Sequence, residues 1–185
     1  MFISPTTAIE KGWVTHPQCT TLDDFKQRSF VSPNAIDFTL DRLFTIDDTK
    51  EFIISETYKQ MRCGDEQSTN QGYWTLGANS VYDGMSDFYV TVPDGVAALV
   101  VVRSTFNRNG IFITTGLWDS GYVGAVGMAI HNRSGVALIA PHTRIGQLIF
   151  VASENAGTYL GGYNHKINTH YSSIYDTNIT STLPK

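Results

Sequence analysis

The sequence has little charge and almost no cysteine, and both shortages restrict what it can do. Only 16% of its 185 residues are charged, the net charge is −4 and the sequence pI is near 5.6. Broad electrostatic capture of DNA or RNA is therefore not expected. The only two cysteines, Cys19 and Cys63, are far apart and form no CxxC pair. This argues against a disulfide scaffold and a cysteine-rich zinc site, and a reducing cytoplasmic setting is the simplest expectation.

Long apolar runs and several catalytic signatures are also missing. No stretch of about 18 apolar residues occurs, so a transmembrane helix is not expected, and the opening residues do not resemble a signal peptide. The sequence has no P-loop, no G-x-S-x-G, no H-E-x-x-H and no G-x-G-x-x-G after a strand. The zinc deaminase pattern, H-x-E with P-C-x-x-C, is absent as well, so any deamination cannot use that zinc chemistry.

The sequence does have an apolar fraction of 42% together with 16 glycines and many β-branched residues, which favour strands and turns. Its length fits one domain, expected over residues 1–171, with a Ser/Thr/Asn-rich flexible tail at 172–185. Short helices are expected at 4–13 and 22–28, followed by short strands at roughly ten-residue spacing. This pattern predicts a mostly β sandwich or barrel. The expected strands are 35–44, 51–55, 88–92, 96–102, 111–117, 125–131, 136–140 and 145–152, with a loop at 64–72.

Two segments of the strand-rich half combine charge, hydroxyls, glycines and aromatic rings. In residues 103–110, Arg103 and Ser104 follow an apolar strand that we expect to be buried on both faces, and an arginine with a hydroxyl can hold phosphate oxygens. In residues 116–124, Asp119 lies among glycines, which let a backbone approach a ligand closely, and Tyr122 could stack on a sugar or base. Taken singly, each segment is explained as well by an exposed loop or a tight turn.

Two later segments also combine glycines with charged or aromatic residues. Residues 144–147 begin a strand with an arginine, and residues 157–166 form a Gly-rich stretch with aromatic residues and a lysine. The second of these could close over a ligand as a flap, or it could be a plain flexible tail.

Taken together and in this order, the segments resemble the dCTP deaminase/dUTPase superfamily. The opening FISPTTAIEKGWV is similar to the N-terminal helix of dCTP deaminases. The shared motifs are matched by residues 32–40 with Asp37, by 103–110, by 116–124 and by 144–150. The resemblance implies a distorted jelly-roll-like β fold with a short N-terminal helix, assembled as a homotrimer with active sites at subunit interfaces. It also implies a pyrimidine deoxynucleoside triphosphate as ligand, with Mg²⁺ bound through the triphosphate.

The resemblance also implies roles for individual residues. Asp119 would order the attacking water and the sugar, as a carboxylate that can accept a proton. Tyr122 would pack on the deoxyribose and leave no room for a 2′-hydroxyl. The phosphates would be met by Ser104, Arg103, Arg108 and Gln147. Gly116 lies in the segment 113–122, whose backbone groups would choose the base.

One position departs from the deaminase pattern. The glutamate that shuttles protons in dCTP deaminases would fall at Ala129, and alanine cannot move a proton. The resemblance therefore favours a dUTP diphosphatase, which converts dUTP to dUMP and pyrophosphate. Two alternatives stay open: a dCTP deaminase that uses another acid/base such as His131, and a catalytically silent trimer with a binding, regulatory or phage-particle role.

The C-terminal stretch matches two family patterns loosely. Residues 161–163 are similar to the dUTPase fifth motif, with Tyr163 as the ring that stacks on the base. Tyr163 and Lys166 are also similar to the deaminase C-terminal pattern. Both motif matches stay open, and so does the question whether this stretch forms a lid that closes over the ligand.

Overall fold

A computed structural model of the chain describes residues 1–55, 58–154, 157–161 and 164, and these residues form mostly β structure. The strands, numbered in chain order, are β1 (Phe2–Ile3), β2 (Val14–Thr15), β3 (Ile36–Thr39), β4 (Arg42–Ile46), β5 (Ile53–Ile54), β6 (Lys59–Gln60), β7 (Cys63–Glu66), β8 (Trp74–Leu76), β9 (Ser80–Thr91), β10 (Val96–Val102), β11 (Ile111–Thr114), β12 (Val123–Asn132), β13 (Ala137–Ile139) and β14 (Arg144–Ala152). The helices are α1 (Pro5–Glu10), α2 (Leu22–Gln27) and α3 (Ser104–Arg108). The predicted β class is confirmed, and both predicted helices are present in shorter form.

Helix α2 begins at a capping box. The Thr21 hydroxyl accepts a hydrogen bond from the Asp24 amide, and the Asp24 carboxylate accepts from the Thr20 and Thr21 amides. These backbone donors lower the pKa of Asp24 to about 2. The reciprocal bonds satisfy amide groups that a helix N-terminus otherwise leaves unpaired. Phe25, on the inner side of α2, is thereby fixed against Phe30 and Phe88 in the core.

The first sheet is built around β14. Strand β10 pairs along one edge of β14, and β1 and β3 share the other edge, all antiparallel. In this register Gln147 lies opposite Asp37 on one side and opposite Val101 on the other. A methyl group added at Gly146 would overlap the Phe38 ring, so only glycine lets β3 and β14 approach this closely.

The second sheet has the order β11-β12-β9-β4-β7, with β2 also pairing along β9. Two small ribbons, β5-β6 and β8-β13, complete the pairings among the described strands. Side chains from both large sheets and from α1 and α2 join in one hydrophobic core. The largest fully buried side chains include Phe38, Phe88, Ile130, Leu148 and Phe150. This two-sheet packing agrees with the sandwich expected from the strand spacing.

The pairing of β9 with β12 is irregular at one point. Ala125 pairs with Tyr89 and Gly127 with Met85, so three residues of β9 stand opposite the single residue Val126. Within this bulge the Phe88 amide donates to the Ser86 hydroxyl. Bulges re-aim side chains and often lie next to functional sites. Here the bulge turns Asp87 toward His16 and Thr39, to which it is hydrogen-bonded.

Several strand predictions need correction. The strand expected at 35–44 is broken into β3 and β4, because the Leu40 amide bonds to the Thr143 carbonyl and the Asp41 amide to the Met85 carbonyl. The loop expected at 64–72 begins inside β7, which pairs with β4. The strand expected at 88–92 is the end of the longer β9. The bounds of β10 are confirmed, but it is not buried on both faces, since Val101 is 40% exposed.

Among the residues that the structure describes, no helix has the length and the apolar character needed to cross a membrane. The predicted tail at 172–185 lies outside the described residues.

Candidate active site

A buried carboxylate organises the end of the first sheet. The Asp37 side chain is 2% exposed and lies 3.4 Å from Arg103 Nε and 3.4 Å from Arg144 Nη1. Its Oδ1 accepts hydrogen bonds from Gln147 Nε2 at 3.0 Å and from Ser32 Oγ at 3.2 Å. Burying a charge this deeply requires paired cations and hydrogen bonds, and Asp37 has both. We call Asp37, Arg103, Arg144 and Gln147 the Asp37 cluster.

The strand register explains why these residues meet. Asp37 and Gln147 are direct cross-strand partners, and Arg144 is the first residue of β14. Arg103 follows the last residue of β10, and its amide bonds to the Ile145 carbonyl. Arg103 also donates from Nη1 to the Arg144 carbonyl at 3.3 Å. Three of the sequence motifs are thus joined through one carboxylate.

The Asp37 cluster anchors the start of α3. Ser104 is the first residue of this helix and Arg108 the last, and both side chains are exposed. Because Arg103 is fixed by Asp37, the Ser104 hydroxyl and the Arg108 guanidinium extend from a defined point at the end of the sheet. Exposed cations and hydroxyls held in this way can receive anionic oxygens.

A separate cleft lies along β11, the loop 115–122 and β12. Its volume is about 470 Å³, and its wall includes Thr114, Gly116, Tyr122, Gly127 and Ala129. The loop leaves the β11–β12 pairing at Thr114, and Trp118 bridges to Ala98 of β10 before the chain turns back. The connection between β11 and β12 is longer than a tight turn. Its backbone therefore runs along the cleft.

Tyr122 forms one wall of this cleft. The side chain is 7% exposed, its hydroxyl donates to the Ala125 carbonyl at 3.0 Å, and its ring stacks on Trp118. A methyl group added at Gly124 would stand 2.5 Å from the Tyr122 hydroxyl oxygen, so glycine is needed there for the ring to take this position. The ring is therefore rigid, which suits a surface against which a sugar packs.

The turn around Asp119 is covered by a later part of the chain. Gly121 has φ +88°, and a methyl group there would overlap the side chain of Thr158. The Tyr159 amide donates to the Ser120 carbonyl at 2.8 Å, and the Asn164 side chain bonds to both Gly121 and Val123. The Tyr159 ring packs edge-on against Tyr122 and also lines the cleft. The expected segment 157–166 thus reaches the site through its described residues, while Tyr163 and Lys166 lie outside them.

Asp119 itself faces solvent. It lies between the buried side chains of Trp118 and Ser120, whose hydroxyl donates to the Val96 carbonyl at 2.7 Å. Within the described part of the chain, no hydrogen bond or ion pair to the Asp119 carboxylate is found. The carboxylate is thus held on a rigid loop with its oxygens available.

Ala129, the residue to which the sequence resemblance assigned the deaminase glutamate, lines the cleft. It pairs with Thr114 of β11 and Asp83 of β9, and its side chain contributes to the wall. His131 lies two residues further along the same face of β12. Its Nε2 is 3.1 Å from the Thr114 hydroxyl, but the ring does not line the cleft.

A second cleft, of about 490 Å³, lies beside the Asp37 cluster. Arg103 and Arg144 line it together with His16, Asp87 and His142. Burial would raise the pKa of Asp87, but hydrogen bonds from His16 and Thr39 outweigh it, and the pKa lies below its usual value. Burial and the nearby Asp87 charge raise the pKa of Asp41.

The structure brings most of the predicted residues together in two groups, and Asp119 is in neither. Arg103 and Gln147 lie in the Asp37 cluster, with Ser104 and Arg108 beside it, whereas Tyr122 and Gly116 line the first cleft. The walls of the two clefts share no residue. Sequence reasoning matched Asp37 to a motif but missed its central position and gave Arg144 no role. A charged residue inside an apolar strand is the signal that could have identified Asp37.

Known proteins are similar to this chain in sequence. A family model described as dCTP deaminase-like matches residues 14–153. The chain belongs to the dCTP deaminase-like family. The Methanopyrus kandleri "Probable deoxyuridine 5'-triphosphate nucleotidohydrolase" is 30% identical over 132 residues, which are 71% of this chain and 85% of that protein. The Sulfurihydrogenibium sp. "dCTP deaminase, dUMP-forming" is 28% identical over 160 residues, 83% of this chain and 86% of that protein.

A solved structure agrees with the fold of this family. The 2'-deoxycytidine 5'-triphosphate deaminase from Agrobacterium tumefaciens matches with a TM-score of 0.60 at 16% identity, over 78% of this chain. The match spans 45% of that chain, so our protein corresponds to a little under half of it. The predicted family and β fold are thereby confirmed.

Proposed function

We propose that this family member is a dUTP diphosphatase, which hydrolyses dUTP to dUMP and pyrophosphate. The single observation that carries the proposal is the wall of the first cleft. No carboxylate or imidazole occurs among the described residues that line it, and Ala129, to which the sequence resemblance assigns the deaminase glutamate, is one of them. Replacing an amino group on a base requires a proton shuttle near that base. Hydrolysis of the triphosphate does not, and the relatives named as dUTP nucleotidohydrolases support this choice.

The base and sugar would occupy the first cleft. The backbone of residues 114–118 runs along its wall, and backbone N–H and C=O groups can pair with the edge of a pyrimidine. The Tyr122 ring would lie against the deoxyribose, where a 2′-hydroxyl would find no room. Gly116 gives the backbone its closest approach, because no side chain stands between it and the ligand.

Hydrolysis would then need an oriented water and a stabilised phosphate chain. The Asp119 carboxylate would accept a hydrogen bond from the water and take its proton as the bond to phosphorus forms. Pyrophosphate leaves as the α–β phosphoanhydride bond breaks. Ser104 and Arg108 would bind phosphate oxygens, and Arg103 and Gln147 would position them through Asp37. This division of labour is mostly positioning and electrostatic stabilisation.

The residues near α3 fit a magnesium ion that arrives on the nucleotide. Around Ser104 they offer cations and hydroxyls, and the nearest carboxylate, Asp37, is already bonded to Arg103, Arg144 and Gln147. Direct protein ligands for the ion are therefore not expected at this point. Bound to the triphosphate, Mg²⁺ would neutralise charge on the phosphate oxygens.

We also propose that the site is completed by a neighbouring chain in a homotrimer. The cleft and the Asp37 cluster lie in separate groups within one chain, which a shared site would explain. Coexpression of Asp119→Asn with Arg108→Ala tests this. Each variant alone is expected to be nearly inactive, whereas random coassembly of the two should leave about one quarter of all sites intact. A mixture no more active than its parents would contradict the shared site.

Gly116 supports a further prediction. Apart from the chain neighbours, no atom of the described residues lies within 4 Å of a methyl group added at Gly116 or at Gly135, so the described fold requires glycine at neither position for space. Gly116→Ala should nevertheless raise the KM for dUTP about tenfold or more, because a methyl group in a binding pocket discriminates by about 1–3 kcal/mol. Steady-state kinetics and thermal unfolding are the measurements.

Gly135→Ala is the matched control for this change. Both variants should unfold at the wild-type temperature, and Gly135→Ala should also keep the wild-type KM. Equal kinetics in the two variants would show that Gly116 does not meet the substrate.

A further inference from the structure

Three potential metal ligands converge beside the second cleft. His142 Nδ1 lies 3.4 Å from Asp87 Oδ2 and 3.7 Å from Asp41 Oδ1. One ligand atom from each of the three side chains can be chosen so that all lie within 4.8 Å of one another. Ligand bonds of about 2.1 Å at tetrahedral angles place ligand atoms about 3.4 Å apart. The two distances from His142 to the carboxylates are therefore close to what a small divalent ion requires.

The backbone holds these groups on a rigid frame. The His142 amide bonds to the Leu40 carbonyl and the Leu40 amide to the Thr143 carbonyl, so the turn before β14 is clamped to the residue that precedes Asp41. The Asp41 amide bonds in turn to the Met85 carbonyl, two residues before Asp87. His142 itself has φ +58°, an uncommon backbone conformation for a residue other than glycine. Ligands that are fixed before the ion arrives bind it more tightly.

Outer partners orient the Asp87 carboxylate. The Thr39 hydroxyl donates to Oδ1 at 2.6 Å, and His16 Nε2 lies 3.0 Å from Oδ2. His16 Nδ1 accepts a hydrogen bond from the Gln18 amide, so the proton of the neutral ring is on Nε2, which donates to Asp87. Hydrogen-bonded carboxylate ligands of this kind are typical of metal sites.

Charge and access also suit a cation. Two carboxylates and a neutral imidazole carry a net charge of −2, which a divalent ion compensates. Three arginines line the second cleft, Arg28, Arg103 and Arg144, and the last two are already paired with Asp37. The His142 side chain is 61% exposed and the Asp87 side chain 14%, so an ion could enter from solvent and keep one position open to water.

We propose that Asp41, Asp87 and His142 form a binding site for a divalent transition metal of the zinc class, with His16 and Thr39 as outer partners. One imidazole with two carboxylates suits zinc, cobalt or manganese better than magnesium, which prefers oxygen ligands alone. The bound ion would tie the β3–β4 corner to β9 and to the start of β14, next to the Asp37 cluster. The site is independent of the proposed nucleotide chemistry.

Titration of chelator-treated, nucleotide-free protein with Zn²⁺ and Co²⁺ tests the proposal. Calorimetry should show one Zn²⁺ per chain, thermal unfolding should shift upward with Zn²⁺, and bound Co²⁺ should give the visible absorption of a four- or five-coordinate ion. His142→Asn and Asp41→Asn should each weaken Zn²⁺ binding by at least about tenfold. Asparagine tolerates a positive φ, so His142→Asn keeps the turn.

His131→Asn is the matched control, because His131 lies outside the cluster and should leave Zn²⁺ binding unchanged. If the wild type binds no Zn²⁺, or if His142→Asn and Asp41→Asn bind it as the wild type does, the proposal is wrong. His142 would then simply lie beside the two carboxylates. A preference for Mg²⁺ over Zn²⁺ would also overturn the assignment.

Discussion

Asp119→Asn should lower the rate of pyrophosphate release from dUTP by about 10²–10⁴-fold, the range that general-base catalysis contributes. Asparagine keeps the size and the turn but cannot take the proton of the attacking water. The effect should fall on kcat more than on KM, because the carboxylate acts on the water as the bond to phosphorus forms. A continuous pyrophosphate assay on purified variant and wild type gives both constants.

The stability of this variant should be unchanged. Asp119 is exposed, and among the described residues its carboxylate has no hydrogen bond that the substitution removes. Exposed substitutions of this kind usually change the free energy of unfolding by less than about 0.5 kcal/mol. Asp48→Asn, at another exposed turn aspartate, is the matched control and should keep full activity. Wild-type activity in Asp119→Asn would remove the carboxylate from the mechanism.

Asp37→Ala should have the second large effect, because it should lower both the stability of the fold and the activity. Removing the carboxylate leaves Arg103, Arg144 and Gln147 without their shared acceptor. Breaking a buried charged pair destabilises by about 3–5 kcal/mol, and we expect about 3 kcal/mol because both guanidinium groups still reach solvent. Urea unfolding measures the loss, with Asp48→Ala as an exposed control.

The role of Gln147 can be separated by a double-mutant cycle with Asp37. If Gln147 acts through its 3.0 Å bond to Asp37, Gln147→Ala should lower the free energy of unfolding. The double variant should then lose about 1 kcal/mol less than the sum of the losses in the two single variants. If Gln147 contacts only the phosphates, Gln147→Ala lowers activity while the stability losses add. The structure favours the first outcome, in which Gln147 is a positioning residue.

Local signals were enough to predict much of the fold. The apolar run at 96–102 predicted β10 with its observed bounds. The break between β3 and β4 could not be predicted in this way, because it depends on bonds from Leu40 and Asp41 to residues far away in the sequence. The β9 bulge that turns Asp87 inward is equally non-local, since it follows from the register with β12.

The candidate site was predictable to a similar degree. The Gly-rich segment around Asp119 carries its own signal, and Tyr122 and Gly116 of this segment line the cleft. The central place of Asp37 became visible only with the pairing of β3, β14 and β10. Nothing in the sequence suggested that His142 lies beside Asp41 and Asp87, because no metal-ligand spacing connects them.

The most direct test of the proposed function is the identity of the product that the wild-type protein forms from dUTP and from dCTP with Mg²⁺. Pyrophosphate and ammonia should be measured in the same reactions. We expect pyrophosphate and dUMP from dUTP, and no ammonia from dCTP, because no carboxylate or imidazole occurs among the described residues that line the first cleft and residue 129 is alanine. Ammonia from dCTP would contradict this and direct attention to His131. If neither product forms from either nucleotide, the protein is a catalytically silent binding protein on the same fold.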